Sequence, residues 1–404
     1  MSLASVGCSG CAVHIPPLPE GSALARPVDD LPAAVARDVG IRFHAGNRVL
    51  LAENGAVFDA IADAITRARR SVNIVSFIWR PSGPSDQVLS ALLERARAGV
   101  ACRVLVDGMG SRNFEGDVRP LLEAAGCEVR LHRPAEDDLM ERNHRKIVVV
   151  DGQVAITGGF GIWKSWEGEG RTREQWRDSN ALVEGPVVRD LQRAFQQSWI
   201  QSGGAPLPAS DLAEPRPAGH IRAAFVASAS VELDGDGNDH TKAERATALI
   251  IRSARKRIWI ANSYFVPSVE ILQLLVAKAK AGLDVRVLAP GPVHDWHSIR
   301  AAQRDGYPEL VEAGIQIYEY QPSMMHSKTM LVDDHLVVVG STNLDPLSLR
   351  QMEEGSLVAD DPALARTLEA LLVEDFRWSK RIVHPTAGPF AWASRAVLWL
   401  IGRL

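Results

Sequence analysis

Cysteine is scarce in this 404-residue sequence, which has only Cys8, Cys11, Cys102 and Cys127. Cys8 and Cys11 form a lone Cys-x-x-Cys with no second ligand pair and no βαβ context nearby, which argues against zinc or redox chemistry. Reduced thiols in a cytoplasmic protein are the expectation. Long apolar runs are absent too. No stretch reaches the roughly 18 apolar residues of a transmembrane helix. The leading MSLASVG is too short and too polar for the core of a signal peptide. Neither charge dominates. Lys and Arg number 45 and Asp and Glu 49, a formal net charge of −4. Nucleic acid is therefore not an expected partner, although a local basic pocket is still allowed. A calcium loop is excluded by spacing. DGDGND (Asp234–Asp239) has Asp239 where the sixth residue must be Gly, and Arg245 where the twelfth must be Glu.

What the chain does have is repetition, and it decides the architecture. ARRSVNIVSFIW (Ala68–Trp79) parallels ARKRIWIANSYF (Ala254–Phe265), a basic helix end followed by a strand. RARAGVACRVLVDG (Arg95–Gly108) parallels AKAKAGLDVRVLAPG (Ala277–Gly291), a helix closed by glycine and then an apolar strand. HRKIVVVDGQVAITGGFG (His144–Gly161) and HSKTMLVDDHLVVVGSTN (His326–Asn343) follow in the same order. Arg103 and Arg286 lie 183 residues apart and the two histidines 182, so the register barely drifts. The chain is a duplication. Each half reads strand, helix, strand and then a hairpin, with Asp151-Gly152 and Asp333-Asp334 as the turns. The predicted fold is α/β, two duplicated halves each with a mixed sheet flanked by helices. A poorly ordered lead-in (1–40) ending in a short helix precedes the first half (41–201). A Pro/Gly/Ala-rich linker (202–222) joins it to the second half (223–383), and a C-terminal amphipathic segment (384–404) follows.

Residues two apart on a strand share a face, so His144 and Lys146 point one way, as do His326 and Lys328. A single pair would be weak evidence of a site. Two pairs in duplicated halves can meet across a pseudo-twofold interface, bringing two imidazoles and two ammonium groups to one pocket. That set suits displacement at a phosphodiester. The lysines offset the anionic charge as point donors, in the place a divalent cation takes elsewhere, so neither metal nor cofactor is expected. One imidazole attacks phosphorus and the other protonates the departing alkoxide. Gly158 and Gly159, through backbone N–H groups, and Ser341 and Asn343, through their side chains, are candidate ligands of the phosphate oxygens. Asp178 and Glu354 are candidates to fix the histidine tautomers. Asp151 and Asp333 complete the repeated pattern and are counted with the catalytic set, although a turn role is favoured for them over contact with substrate.

These residues resemble the phospholipase D superfamily, whose signature is His-x-Lys-x4-Asp followed by Gly-Ser-x-x-Asn-like residues, usually twice per chain. The second copy fits completely. RNHRKIVVVDG, WRDSNALVEGP (Trp176–Pro186), ANSYFVPS (Ala261–Ser268), LAPGPVHD (Leu288–Asp295) and VVVGSTNLDPLS (Val337–Ser348) are similar to bacterial cardiolipin synthases, over nearly all of residues 45–383. The resemblance implies that a phosphatidyl group moves from one phosphatidylglycerol to the hydroxyl of another. It implies a phosphohistidine on His144, with His326 as general acid. Three departures stand out. Gly161 occupies the place of an Asn in the first motif, and Leu347 and Met352 replace an Arg and an Asn.

Anionic phospholipid and a membrane surface are the expected partners, with the protein peripherally bound to the inner membrane. Trp163 and Trp166 flank Lys164 in GIWKSWEGEG (Gly161–Gly170), a composition suited either to a bilayer interface or to a half-buried loop. The C-terminal PFAWASRAVLWLIGRL has Trp392, Arg395, Trp399 and Arg403, and suits an interfacial helix or one docked on the protein itself. A single chain already completes the site, so work as a monomer is consistent with the sequence. Competing functions are a hydrolytic phosphodiesterase or nuclease with the same residues, and a binding protein with a dead site. The intact His-Lys pairs weigh against the last.

Overall fold

The computed structural model describes residues 15–19, 21–132, 141–230 and 240–385. The Cys8/Cys11 pair, the Asp234–Asp239 loop and the Trp/Arg-rich C-terminal run lie outside the described residues. In the first half the strands are β1 (His44–Glu53), β2 (Ser71–Ser76), β3 (Ala101–Asp107), β4 (Glu128–His132), β5 (Arg142–Asn143), β6 (Ile147–Val150), β7 (Val154–Gly158), β8 (Trp176–Arg177) and β9 (Ser179–Glu184). In the second half they are β10 (Ile221–Ser228), β11 (Arg257–Asn262), β12 (Asp284–Pro290), β13 (Gln316–Tyr320), β14 (Met324–Met325), β15 (Lys328–Val332), β16 (Leu336–Gly340), β17 (Met352–Asp360) and β18 (Ser379–Ile382).

Outward from β1 the order is β9-β7-β6-β2-β3-β4, and outward from β10 it is β17-β16-β15-β11-β12-β13-β18. The two series match strand for strand, with β18 added at the far edge. The expected pair of mixed sheets is thus present, but β1 and β10 pair antiparallel and run the two into one 16-stranded sheet.

The apolar runs after each His-x-Lys are buried on both faces, which is why they do not alternate with polar residues. Ile147 and Val149 enter a core shared by the two halves, while Val148 and Val150 enter the outer core of the first half. Leu331 likewise faces the shared core, and Met330 and Val332 the outer core of the second half. Two equivalent helices, Val188–Gln201 and Pro362–Arg377, contribute Phe195, Trp199, Leu368 and Leu372 to that shared core. This layer fixes one half against the other.

The short helix expected at the end of the lead-in is Leu31–Asp38, and Val28, Leu31 and Val35 pack into the second half's outer core. The linker packs too, with Leu207 buried and Asp211 bonded to Arg103 at 3.1 Å. One sequence expectation changes: Cys102 and Cys127 are not reduced thiols but form a disulfide. Parallel pairing of β3 with β4 sets Arg103 opposite Glu128, which brings the two preceding cysteines side by side.

Candidate active site

Each His-x-Lys segment is anchored on the opposite half. β5, just before His144, pairs parallel with the start of β17, and the N–H of His144 donates to Glu353 O at 2.9 Å. β14, just before His326, pairs parallel with β8, and the N–H of His326 donates to Arg177 O at 2.7 Å. The side chains cross over in the same way. His144 Nδ1 lies 2.8 Å from Glu354 Oε1, and His326 Nδ1 lies 2.8 Å from Asp178 Oδ2. The orienting carboxylates are those singled out in the sequence, but each serves the histidine of the other half. With Nδ1 donating to a carboxylate, Nε2 of each ring is left for chemistry.

Both histidines line one cleft of about 200 Å³, together with Lys146 and Asn343. Lys328 stands against the His326 ring, 2.9 and 3.0 Å from its two nitrogens, and donates to Ser263 Oγ at 2.7 Å. Lys146 donates to His144 O and lies 5.1 Å over the ring of Phe77, the position equivalent to Ser263. Burial lowers both histidines to about 4, against the pull of Glu354 on His144; the Lys328 charge lowers His326 further. Burial also lowers Lys328 to about 8 and holds Lys146 well below the usual lysine range. Burial alone would raise Asp178, but the His326 bond and the Lys328 charge hold it below the ordinary carboxylate range. Burial thus disfavours the charged forms of these groups, and an entering phosphodiester anion favours their protonation.

The other candidate ligands fall in different places. Asn343 lines the cleft, and its buried Oδ1 has no partner among the described residues. Ser341 does not line it: its hydroxyl donates to Glu354 and accepts the N–H of Gly355 at 2.9 Å. Gly158 and Gly159 do not line it either. A Cβ at Gly159 would meet Asp178 Oδ1 at 2.4 Å, so the glycine clears room for the orienting carboxylate rather than binding phosphate. Asp151 and Asp333, counted with the catalytic set, are turn residues at the far ends of the motif strands. Asp151 accepts the N–H groups of Arg69, Arg70 and Ser71, and Asp333 those of Arg255, Lys256 and Arg257. Their φ values of 55° and 52° are left-handed, which Asp tolerates better than most residues.

Sequence reasoning passed over several residues. Trp176 stacks on His326 with ring centroids 4.8 Å apart, and Phe77 meets His144 edge-on at 4.9 Å. Arg145, between the catalytic pair, is fully buried and ion-pairs with Glu353 at 2.8 Å. Arg177 ion-pairs with Asp375 at 2.8 Å. Arg145 and Glu353 flank His144 and Glu354 directly, so polar residues inside an apolar motif were the available signal. Trp166, read as a candidate for the bilayer interface, is fully buried, and Trp163 is half-buried with Arg80 4.3 Å from its ring. Leu347 and Met352 line the cleft with Ile78, Trp296 and Ile299, giving it an apolar wall.

The chain matches the family described as cardiolipin synthase, PLD-like domain, over residues 61–199 and 249–376. It is 31% identical to cardiolipin synthase 2 of Bacillus anthracis over 346 residues, which covers 84% of this chain and 65% of that protein. It is 32% identical to cardiolipin synthase A of Yersinia pseudotuberculosis over 372 residues, covering 85% of this chain and 74% of that one. The chain therefore spans about two thirds to three quarters of the length of these relatives. In fold it is similar to phosphatidylserine synthase of Haemophilus influenzae Rd KW20, with a TM-score of 0.68 at 13% identity, covering 93% of this chain and 98% of that one.

Proposed function

This chain belongs to the cardiolipin synthase family of phospholipase D-like proteins, and from that premise we propose that it transfers a phosphatidyl group between two phosphatidylglycerol molecules. The observation that carries the reading is the pair of imidazoles, each held through Nδ1 by a buried carboxylate and both lining one cleft.

Nε2 of His144 attacks phosphorus while the bond from phosphorus to the glycerol oxygen breaks. His326 gives its Nε2 proton to that oxygen, and glycerol leaves. The hydroxyl of a second phosphatidylglycerol then returns a proton to His326 and attacks phosphorus. The P–N bond breaks, cardiolipin forms and His144 is regenerated. Lys146 and Lys328 balance the charge that gathers on the non-bridging oxygens. Stacking on Trp176 favours the cationic form of His326, which supports its assignment as acid rather than nucleophile. The apolar wall of Leu347, Met352, Trp296 and Ile299 suits the glyceride end of a lipid.

Membrane association is peripheral in this reading: among the described residues no helix is long and apolar enough to cross a bilayer. The disulfide removes the argument from free thiols for a reducing compartment. Purified protein supplied with phosphatidylglycerol should yield cardiolipin and glycerol on thin-layer analysis. Phosphatidic acid alone would replace transfer by hydrolysis, and cleavage of nucleic acid only would overturn the lipid reading.

A further inference from the structure

The two halves agree in fold but differ in what they set beside their histidines. Asn343 lines the cleft from the second half, and the equivalent position in the first is Gly161. A Cβ at Gly161 would lie 2.8 Å from Cζ3 and 2.9 Å from Cη2 of Trp166, so the indole fills the room an asparagine would use. Trp166 is fully buried, and its Nε1–H donates to Asp178 Oδ2 at 2.8 Å. That same oxygen takes the Nδ1 bond of His326, also at 2.8 Å. Glu354 is arranged otherwise. One of its oxygens serves His144 and the other serves the Ser341 hydroxyl.

We propose that Trp166 is a positioning residue for His326, which sets how readily that imidazole gives up its proton by sharing the Asp178 oxygen that holds it. A carboxylate oxygen with a second donor is a poorer acceptor for the first, so it stabilises the imidazolium less. Trp176 acts in the opposite sense. It presents its π face to His326 at an interplanar angle of 27°, which favours the cation. Trp166 meets the same ring edge-on, at 87° and 5.1 Å, and offers no such face. The other charged and titratable groups around His326 include Lys328 beside it on β15 and Asp295 after β12, and Asp345 and Tyr264 line the same cleft. His144 and Lys146 line the same cleft from the first half. The first half has thus exchanged a phosphate ligand for control over the acid of the second. The inference rests on the transfer reading only in taking His326 as the acid–base partner.

The test is kcat against pH on phosphatidylglycerol for the unaltered protein, Trp166→Phe and Trp176→Leu. Trp166→Phe removes the donor and keeps an apolar ring. Its alkaline limb should move up by about half to one pH unit, a fraction of the roughly one to two units that a whole bond to a charged group is worth, because the variant only ends the sharing of the oxygen. Trp176→Leu should move the limb down. An unmoved limb in Trp166→Phe with kcat lowered at every pH, or shifts of the same sign in both variants, would overturn the proposal. A second measurement needs no substitution. With nitrogen-15 in the ten tryptophans, saturation by vanadate, a phosphoryl mimic that favours protonated His326, should displace one buried indole N–H signal through the shared oxygen. No displaced buried indole signal would count against the proposal even in a folded, active protein. Failure of the unaltered protein to consume phosphatidylglycerol bears instead on the transfer reading, and leaves the vanadate experiment able to decide this one.

Discussion

The crossed carboxylates make the two histidines separable by substrate chemistry. Asp178→Asn replaces an acceptor that holds His326 Nδ1–H at 2.8 Å with an amide that can turn its N–H2 toward the ring. The neutral imidazole then carries its proton on Nε2, so the imidazolium that acts as the acid loses its anionic partner and the Nε2 lone pair that must take the proton of the incoming hydroxyl is lost. General acid–base help is worth about 10²–10⁴-fold, or about 3–5 kcal/mol in the barrier, and the site is buried enough to put the loss in that range. On phosphatidylglycerol the glycerol alkoxide must be protonated as it leaves, so kcat should fall by that factor. A phosphatidyl ester of nitrophenol needs no such proton. The nitrophenol burst of Asp178→Asn should therefore return to within about tenfold of the unaltered rate, with the slow step moved to breakdown of the phosphoenzyme. Glu354→Gln disturbs the nucleophile instead. Its burst should be slowed about as much on the nitrophenyl ester as on the natural lipid. Stopped-flow measurement of the released nitrophenolate follows both bursts. Rescue of Glu354→Gln with none of Asp178→Asn would reverse the two histidines, and rescue of neither would show that the proposed division of labour is wrong.

Asp151→Ala and Asp333→Ala should each cost about 1–3 kcal/mol in urea unfolding while kcat/KM of the folded protein stays near its original value, because both carboxylates bind backbone N–H groups. Lost activity at full stability would return them to the reacting set. Since burial lowers Lys328 to about 8, kcat/KM for an anionic lipid should decline above that pH, and Lys328→Arg should move the decline to higher pH. With His144 and His326 lowered to about 4, the unfolded chain binds protons between pH 6.5 and 4 that the folded chain does not, so stability falls as pH falls through that window. Asp345, raised to about 7 by burial, opposes this because its folded form holds a proton that the unfolded form has lost. Urea midpoints should therefore drop from pH 6.5 toward 4, and drop more steeply in Asp345→Asn.

What was legible in the sequence was whatever local periodicity and short turns encode. The duplicated strand–helix order, the Asp151-Gly152 turn and the two buried hairpins follow from residues within a few positions of one another. Partners brought together by closure of the sheet are another matter. Asp178 follows His144 by 34 residues and Glu354 follows His326 by 28, and that spacing offers no hint that each serves the other half. Only the joining of β1 to β10 and the shared core bring them across. Trp166 was left between a bilayer interface and a half-buried loop for a related reason. Its N–H partner is Asp178, 12 residues on, and the space it fills is left open by Gly161. Gly159 misled in the opposite direction. A glycine after a strand suggests phosphate near its backbone, whereas here the missing side chain makes way for Asp178 Oδ1.

The exchange also bears on why the site needs the whole duplication. Neither half contains a histidine together with the carboxylate that orients it, and the residues just before each histidine pair with the other half, β5 with β17 and β14 with β8. A half separated from its partner would lose the acceptor for its imidazole N–H and for the backbone N–H of the same histidine. It would also expose one face of the core that holds Phe195, Trp199 and Leu357. Each of those losses is large for a buried polar or apolar group. Positioning of the catalytic groups and stability of the halves therefore depend on one interface, so changes in its packing should register in the pH profile of the reaction before they register as unfolding.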